Sequence, residues 1–177
     1  MNEKITIVCG TNRKDAISLH ITMAYKDILT RYSKDVTLVD LHELPPDFAF
    51  SALYDNYGKN EAFNRFVQIM LDTQKFVFIV PEYNGSFPGA LKTFIDGLEY
   101  PNTFRNKKGA LVGIASGGHS GSLALSHLTD IFNYCGMNIL AYKPRLGKIE
   151  DSFENGALTN QKYLSMLEKQ AAMLIEF

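Results

Sequence analysis

Cysteine is scarce in this chain, excess charge of either sign is missing, and no apolar run is long. Two cysteines, Cys9 and Cys135, stand far apart in 177 residues. They match no metal-ligand spacing and suggest no disulfide framework, which fits a reducing compartment. Both read as small apolar core residues. Lys plus Arg number 18 and Asp plus Glu 19, for a net charge of -1. That balance argues against a protein that coats nucleic acid or an anionic membrane. A small anionic ligand needs only a local site and stays open. The 4 histidines offer no pair at convincing metal-site spacing, so no metal is expected. His20, His42 and His127 read as structural or exposed. Pro81 stops the densest apolar run, Phe76 to Val80, far short of a membrane span. The run Ile5 to Cys9 is too short for a signal peptide. A cytoplasmic protein is expected.

What remains is ordinary globular composition, with 46% hydrophobic and 21% charged residues. The length predicts one domain, residues 1–177, able to bury roughly 70% of its unfolded surface. Ile5–Cys9 is short, β-branched and followed by Gly10, and so reads as a strand. Ile17, Ile21, Ala24, Ile28 and Tyr32 then recur at helical spacing. The same alternation continues along the chain. Strands are expected at Val36–Val39, Phe76–Val80, Ala110–Ala115 and Met137–Ala141. Helices are expected around Phe63–Met70, Leu91–Leu98, Leu123–Phe132 and Leu164–Ile175. Five strands alternating with five helices imply an α/β fold, a doubly wound five-stranded parallel sheet with helices on both faces. The leading strand order is 2-1-3-4-5, which places a ligand beyond the carboxyl ends of strands one, three and four. One stretch, Leu44 to Asn60, resists this tiling. Its aromatics suit a connector folded onto the core, a subunit interface or a ligand lid.

Three loops leave those strand ends. Gly10-Thr11-Asn12-Arg13-Lys14-Asp15-Ala16-Ile17-Ser18 joins strand one to helix one, where free backbone N–H groups and the helix dipole attract a phosphate. Thr11 and Ser18 add hydroxyls and Arg13 a fixed cation. The loop fits neither a Walker A motif nor a dinucleotide glycine motif. An ordinary polar turn is the plain alternative. Pro81-Glu82-Tyr83-Asn84-Gly85-Ser86-Phe87-Pro88-Gly89 follows strand three and is dense in residues that fix unusual backbone geometry. It can present backbone groups to a flat heterocycle, with Tyr83 as an aromatic wall. Ser116-Gly117-Gly118-His119-Ser120-Gly121 follows strand four, and its glycines allow a ligand close to the backbone. Its Gly118-His119-Ser120-Gly121-Ser122 run also approaches the nucleophile elbow of serine hydrolases, but Ser122 replaces the final glycine. No histidine follows His127 to complete such a triad.

At these residues the sequence resembles the NAD(P)H-dependent FMN reductases, a flavodoxin-like family. The resemblance runs from Ile5 to the C-terminal helix. It is strongest in Pro81–Lys92, continuing to Ile95-Asp96, which is similar to the family's flavin-ring loop and following helix. Gly10–Arg13 resembles its phosphate loop, and Gly113–Gly118 its second ring-contacting loop. The chain departs from the family at Ala16, where a hydroxyl residue is frequent, and at Gly118, where some relatives carry arginine.

The resemblance implies a flavodoxin-like FMN-binding domain that takes hydride from NADPH or NADH and passes electrons to a small acceptor: a flavin, quinone, azo compound or metal oxyanion. Thr11, Arg13 and Ser18 would hold the phosphate. Pro81, Glu82, Tyr83, Asn84, Gly85 and Ser86, with Ser116, Gly117, Gly118 and His119, would hold the isoalloxazine. The flavin carries the chemistry, so no side chain need be an essential acid or base. A homodimer or homotetramer is implied, with no nucleic-acid or membrane partner. The alternatives are a flavodoxin-type electron carrier without enzymatic activity and a serine hydrolase using Ser120.

Overall fold

Ile5, Thr6, Ile7 and Val8 are β-branched, and the run Ile5–Cys9 forms strand β1 with every residue buried. Burial on both faces is what a parallel sheet covered by helices requires. The computed structural model describes residues 3–154 and 156–177. β1 pairs in parallel with β2 (Val36–Asp40) on one side and β3 (Lys75–Pro81) on the other. Beyond β3 lie β4 (Lys108–Ile114) and β5 (Asn138–Ile139), so the order is β2-β1-β3-β4-β5, as the alternation predicts.

The fifth strand is shorter than expected. Only Asn138 and Ile139 of the run Met137–Ala141 pair with β4, opposite Lys108 and Gly109. Pairing resumes at β6 (Arg145–Leu146), opposite Gly113 and Ile114. Between the two pairings the edge chain carries more residues than β4 and bulges away. Pro144 cannot donate to the ladder, but its carbonyl accepts from Gly113 N at 2.9 Å. An edge strand tolerates such an interruption.

Alternate residues of β3 feed two cores, as the period of two dictates. Phe76, Phe78 and Val80 point toward α3 (Glu61–Asp72), α4 (Gly89–Asp96) and α5 (Ser122–Tyr134). There Phe132 packs on Phe78 and Phe104, with ring centroids 4.5 and 5.2 Å apart. Val77 and Ile79 point toward α1 (Ile17–Leu29) and α6 (Gln161–Glu176). α1 stops at Leu29, so Tyr32, expected on its apolar face, lies beyond it and is exposed. The stretch Leu44–Asn60 holds one short helix, α2 (Phe48–Ser51), between 3-10 turns. It divides its aromatics: Phe48 is buried and stacks on Phe63, whereas Phe50 and Tyr54 are exposed. A hairpin of β7 (Phe153–Glu154) and β8 (Ala157–Leu158) precedes α6 and has no counterpart among the expected elements.

Of the two cysteines, Cys9 is buried and Cys135 only partly so. Burial, helped by the charge of Asp40, pushes the Cys9 thiol up to about 12. The pair Lys107-Lys108 reads from sequence as a solvated turn, and the structure corrects this. Lys107 Nζ donates to the carbonyls of Met70 and Leu71 at 3.2 and 2.6 Å, closing the C-terminal end of α3, and burial lowers its pKa. A cation there also meets the negative end of the helix dipole.

Gln170 ties the α1–α6 layer to the sheet. It is fully buried, its Oε1 accepts from Tyr25 Oη at 3.0 Å, and its Nε2 donates to the carbonyls of Leu111 and Tyr142 at 2.9 and 2.8 Å. Gln170→Leu keeps the volume but strands the buried Tyr25 hydroxyl and two carbonyls. A loss of about 2–3 kcal/mol is expected from those unmade bonds. Urea denaturation should show a lower midpoint at an unchanged slope.

Candidate functional site

The loops after β1, β3 and β4 meet over the carboxyl end of the sheet, around a cavity of about 300 Å³. The first loop contributes Arg13, Asp15, Ala16 and Ser18 to its lining, the second Pro81, Glu82 and Tyr83, and the third Ser116, with Glu150 from a later turn. Gly10 makes the entry to the first loop possible. A Cβ there would lie 2.8 Å from the carbonyl oxygen of Ile79, closer than packed atoms allow.

The start of α1 offers donors to an anion, with Asp15 as the acid beside them. Ala16 is the N-cap of α1 in extended conformation, offers no side-chain acceptor, and no acid occupies the first turn. Among the described residues, the backbone N–H groups of Ile17 and Ser18 therefore find no partner. The helices α2, α4 and α5 also lack a side-chain cap, whereas two others have one. Asn60 caps α3 and Asn160 caps α6 through their side-chain oxygens. An uncapped helix N-terminus beside Arg13 and the hydroxyl of buried Ser18 is a phosphate-sized donor set. Thr11 stands one layer behind. It is fully buried, its Oγ1 lies 2.9 Å from Tyr83 Oη, and it accepts from Arg13 N at 3.2 Å. Its hydroxyl joins the first loop to the second and does not line the cavity.

The second loop is a tight turn. Asn84 and Gly85 both have positive φ, 51° and 75°, the geometry that favours Asn-Gly in a two-residue hairpin turn. Tyr83 and Ser86 exchange backbone hydrogen bonds across it, at 2.7 and 3.0 Å. Ser86 Oγ also meets His127 Nδ1 at 2.9 Å, so α5 braces the turn. Neither His127 nor Glu150 was marked by any local motif.

Two further lining residues, Glu82 and Glu150, are acidic. Glu150 arrives from a 3-10 turn after β6, accepts a short hydrogen bond from Ser116 Oγ, and is held below the usual carboxylate range by it. Glu82 Oε2 is buried with no hydrogen-bond partner among the described residues. A buried acceptor left unpaired costs free energy unless a ligand donor meets it. The lining thus carries donors for an anion on the first loop and acceptors for N–H groups at Glu82 and Glu150. FMN has the complementary groups, with a phosphate at one end and a ring bearing an N–H at the other, so the residues present fit it.

The remaining expected ring contacts lie at the margin. Asn84, Gly85 and Ser86 adjoin the cavity through the Tyr83 turn. Gly117 is exposed, and Gly118 and His119 face a neighbouring cleft. Ser120 Oγ donates to the carbonyl of Gly118 at 3.0 Å, not to a histidine nitrogen, so no hydrolytic dyad forms around it.

The sequence profile of the NADPH-dependent FMN reductases matches residues 3–144. A 2-hydroxy-1,4-benzoquinone reductase from a Burkholderia species is 29% identical, covering 96% of this chain and 94% of that protein. An NAD(P)H:quinone oxidoreductase from Solanum tuberosum is 31% identical, over 72% of this chain and 66% of its own. Among solved structures, an NADH:FMN oxidoreductase in its apo form superposes with a TM-score of 0.77 at 13% identity, covering 98% of this chain and 90% of that one. An NAD(P)H:(acceptor) oxidoreductase from Paracoccus denitrificans superposes at 0.72 and 21% identity, with 99% and 96% covered. These two likenesses confirm the flavodoxin-like fold. The family profile spans all three loops of the cavity and decides against the carrier and hydrolase alternatives: this chain belongs to the NADPH-dependent FMN reductases.

Proposed function

We propose that this protein is a quinone reductase, one FMN-binding domain over residues 1–177 working in the cytoplasm, as a homodimer or larger assembly. The observation that carries the FMN assignment is the mixed lining of the cavity, with the uncapped N–H groups of α1 beside Arg13 on one loop and the unpaired Glu82 oxygen on another. The acceptor class is supported by the benzoquinone reductase similar along nearly the whole chain. Arg13, Ser18 and the first turn of α1 bind the phosphate. Thr11 positions the phosphate loop through Tyr83. Pro81 to Ser86 and Ser116 orient the ring, and Glu82 and Glu150 accept from it. FMN bound there supplies two-electron chemistry, taking hydride from a reduced nicotinamide and giving electrons to the acceptor. The exposed Phe50 and Tyr54 support a subunit contact, since aromatics are favoured in interfaces.

With a single ring site, donor and acceptor must alternate at one face. Steady-state rates with NADPH and a benzoquinone should give parallel lines in double-reciprocal form. Intersecting lines would mean that both substrates bind together, against a shared face.

A further inference from the structure

The turn after β6 is fastened to the loop after β4 at several points. Ala115 N donates to the carbonyl of Leu146 at 3.0 Å, and the carbonyl of Ala115 accepts from Ile149 N at 3.4 Å. Tyr163 Oη of α6 donates to the carbonyl of Gly147 at 2.6 Å. Gly147 lets the two segments close, since a Cβ there would stand 3.0 Å from the carbonyl oxygen of Gly117. Ile149 is buried, so Glu150 starts from a fixed backbone. Its Oε1 accepts from Ser116 Oγ at 2.5 Å. Ser116 spends its one hydroxyl proton on that bond and offers a ligand only lone pairs. Both residues line the flavin cavity. The turn lies beyond residue 144, where the match to the family profile ends.

We propose that Glu150 tunes the flavin: its carboxylate, fixed against Ser116, lowers the reduction potential of bound FMN. The proposal rests on the reductase reading above. A hydride brings two electrons and one proton from the nicotinamide, so the ring gains one negative charge until a proton from water neutralises it. The cavity already holds more acid than base, with Asp15, Glu82 and Glu150 in its lining against Arg13 alone. None of these four forms an ion pair among the described residues. A carboxylate beside the ring therefore penalises the reduced flavin more than the oxidised one. Charge near the ring is one of the levers by which a protein sets flavin electronics. The bond from Ser116 fixes where the Glu150 charge sits and favours its ionised form. A lower potential makes the reduced flavin a stronger donor to the acceptor.

The test is the midpoint potential of the FMN-loaded protein, measured anaerobically by reduction alongside a reference dye. Glu150→Gln keeps the shape and can still accept from Ser116, so it removes only the charge. The midpoint should rise by about 30 mV, which for a two-electron couple is a tenfold gain in affinity for reduced over oxidised FMN. Glu150 is exposed, and screening by water and salt holds the shift to that order. Asp151→Asn makes the same charge change one residue on, outside the cavity lining, and should leave the midpoint in place. A Glu150→Gln variant with the wild-type midpoint would overturn the proposal. So would an Asp151→Asn variant that shifts as far, because net charge alone would then explain the effect. A Glu150→Gln variant that no longer holds oxidised FMN in a fluorescence titration would make Glu150 a binding group, against a tuning role. If the wild type binds no FMN, or neither nicotinamide reduces it, the reductase reading fails. If reduction proceeds and both proteins share one midpoint, only the tuning role fails.

Discussion

Ala16→Asp should make the flavin-free protein more stable and almost abolish FMN binding. Residue 16 is the N-cap of α1, with φ -71° and ψ 136°, and its side chain faces the cavity. A carboxylate there can accept from the first-turn N–H groups that now lack partners. Replacing an alanine N-cap in this way stabilises a helix by about 1 kcal/mol, or roughly 2–4 °C in melting temperature for a domain of this size. The same carboxylate occupies the donors that a phosphate needs and adds a like charge beside it. FMN affinity should fall about a thousandfold, equivalent to about 4 kcal/mol. Ala16→Ser separates the two effects, because a hydroxyl can cap the helix and still donate to the phosphate. It should tighten FMN by about tenfold. Thermal unfolding without flavin and fluorescence titration with flavin check both signs. An Asp variant that is more stable yet binds FMN normally would move the phosphate elsewhere.

Riboflavin should bind about a thousandfold more weakly than FMN, a difference near 4 kcal/mol. It has the same ring, so the contrast isolates the anion donors of the first loop. Hydrogen bonds to a charged group contribute about 1.5–3 kcal/mol each, and the α1 N-terminus, Ser18 and Arg13 offer several. Their sum is reduced by stripping water from the phosphate. Arg13 is exposed, so its share is small and screened by salt. Arg13→Ala should weaken FMN by about tenfold and flatten the dependence on ionic strength, with riboflavin unaffected. Equal affinity for the two flavins would remove the role given to residues 10–18.

Much of this architecture is legible in the residues because local and global preferences agree. β1 is bounded by its β-branched run and by Gly10, which the carbonyl of Ile79 leaves no room to replace. Asn84-Gly85 is a pair that tolerates positive φ, and both residues adopt it. The three loops of the cavity are likewise contiguous motifs, so their meeting follows once the strand order is known. What escaped the sequence depends on contacts between distant segments. The edge strand broke because Pro144 and the residues before it bulge from β4, which an apolar run does not reveal. Glu150 enters the cavity 34 residues beyond Ser116, carried by a turn without a motif. Lys107 looked solvated because its partners, the end carbonyls of α3, lie 36 and 37 residues earlier. The contact of the Thr11 hydroxyl with Tyr83, 72 residues away, is likewise invisible in the loop sequence.

The central claim is that this cavity brings FMN within reach of a reduced nicotinamide. Anaerobic titration of the FMN-loaded protein with NADPH, followed through the absorbance of oxidised flavin, tests it directly. Bleaching should be complete at about one equivalent, since one hydride reduces one flavin, and a benzoquinone added without oxygen should restore the spectrum. A protein that binds FMN tightly yet keeps its oxidised spectrum in excess NADPH and NADH would contradict the account.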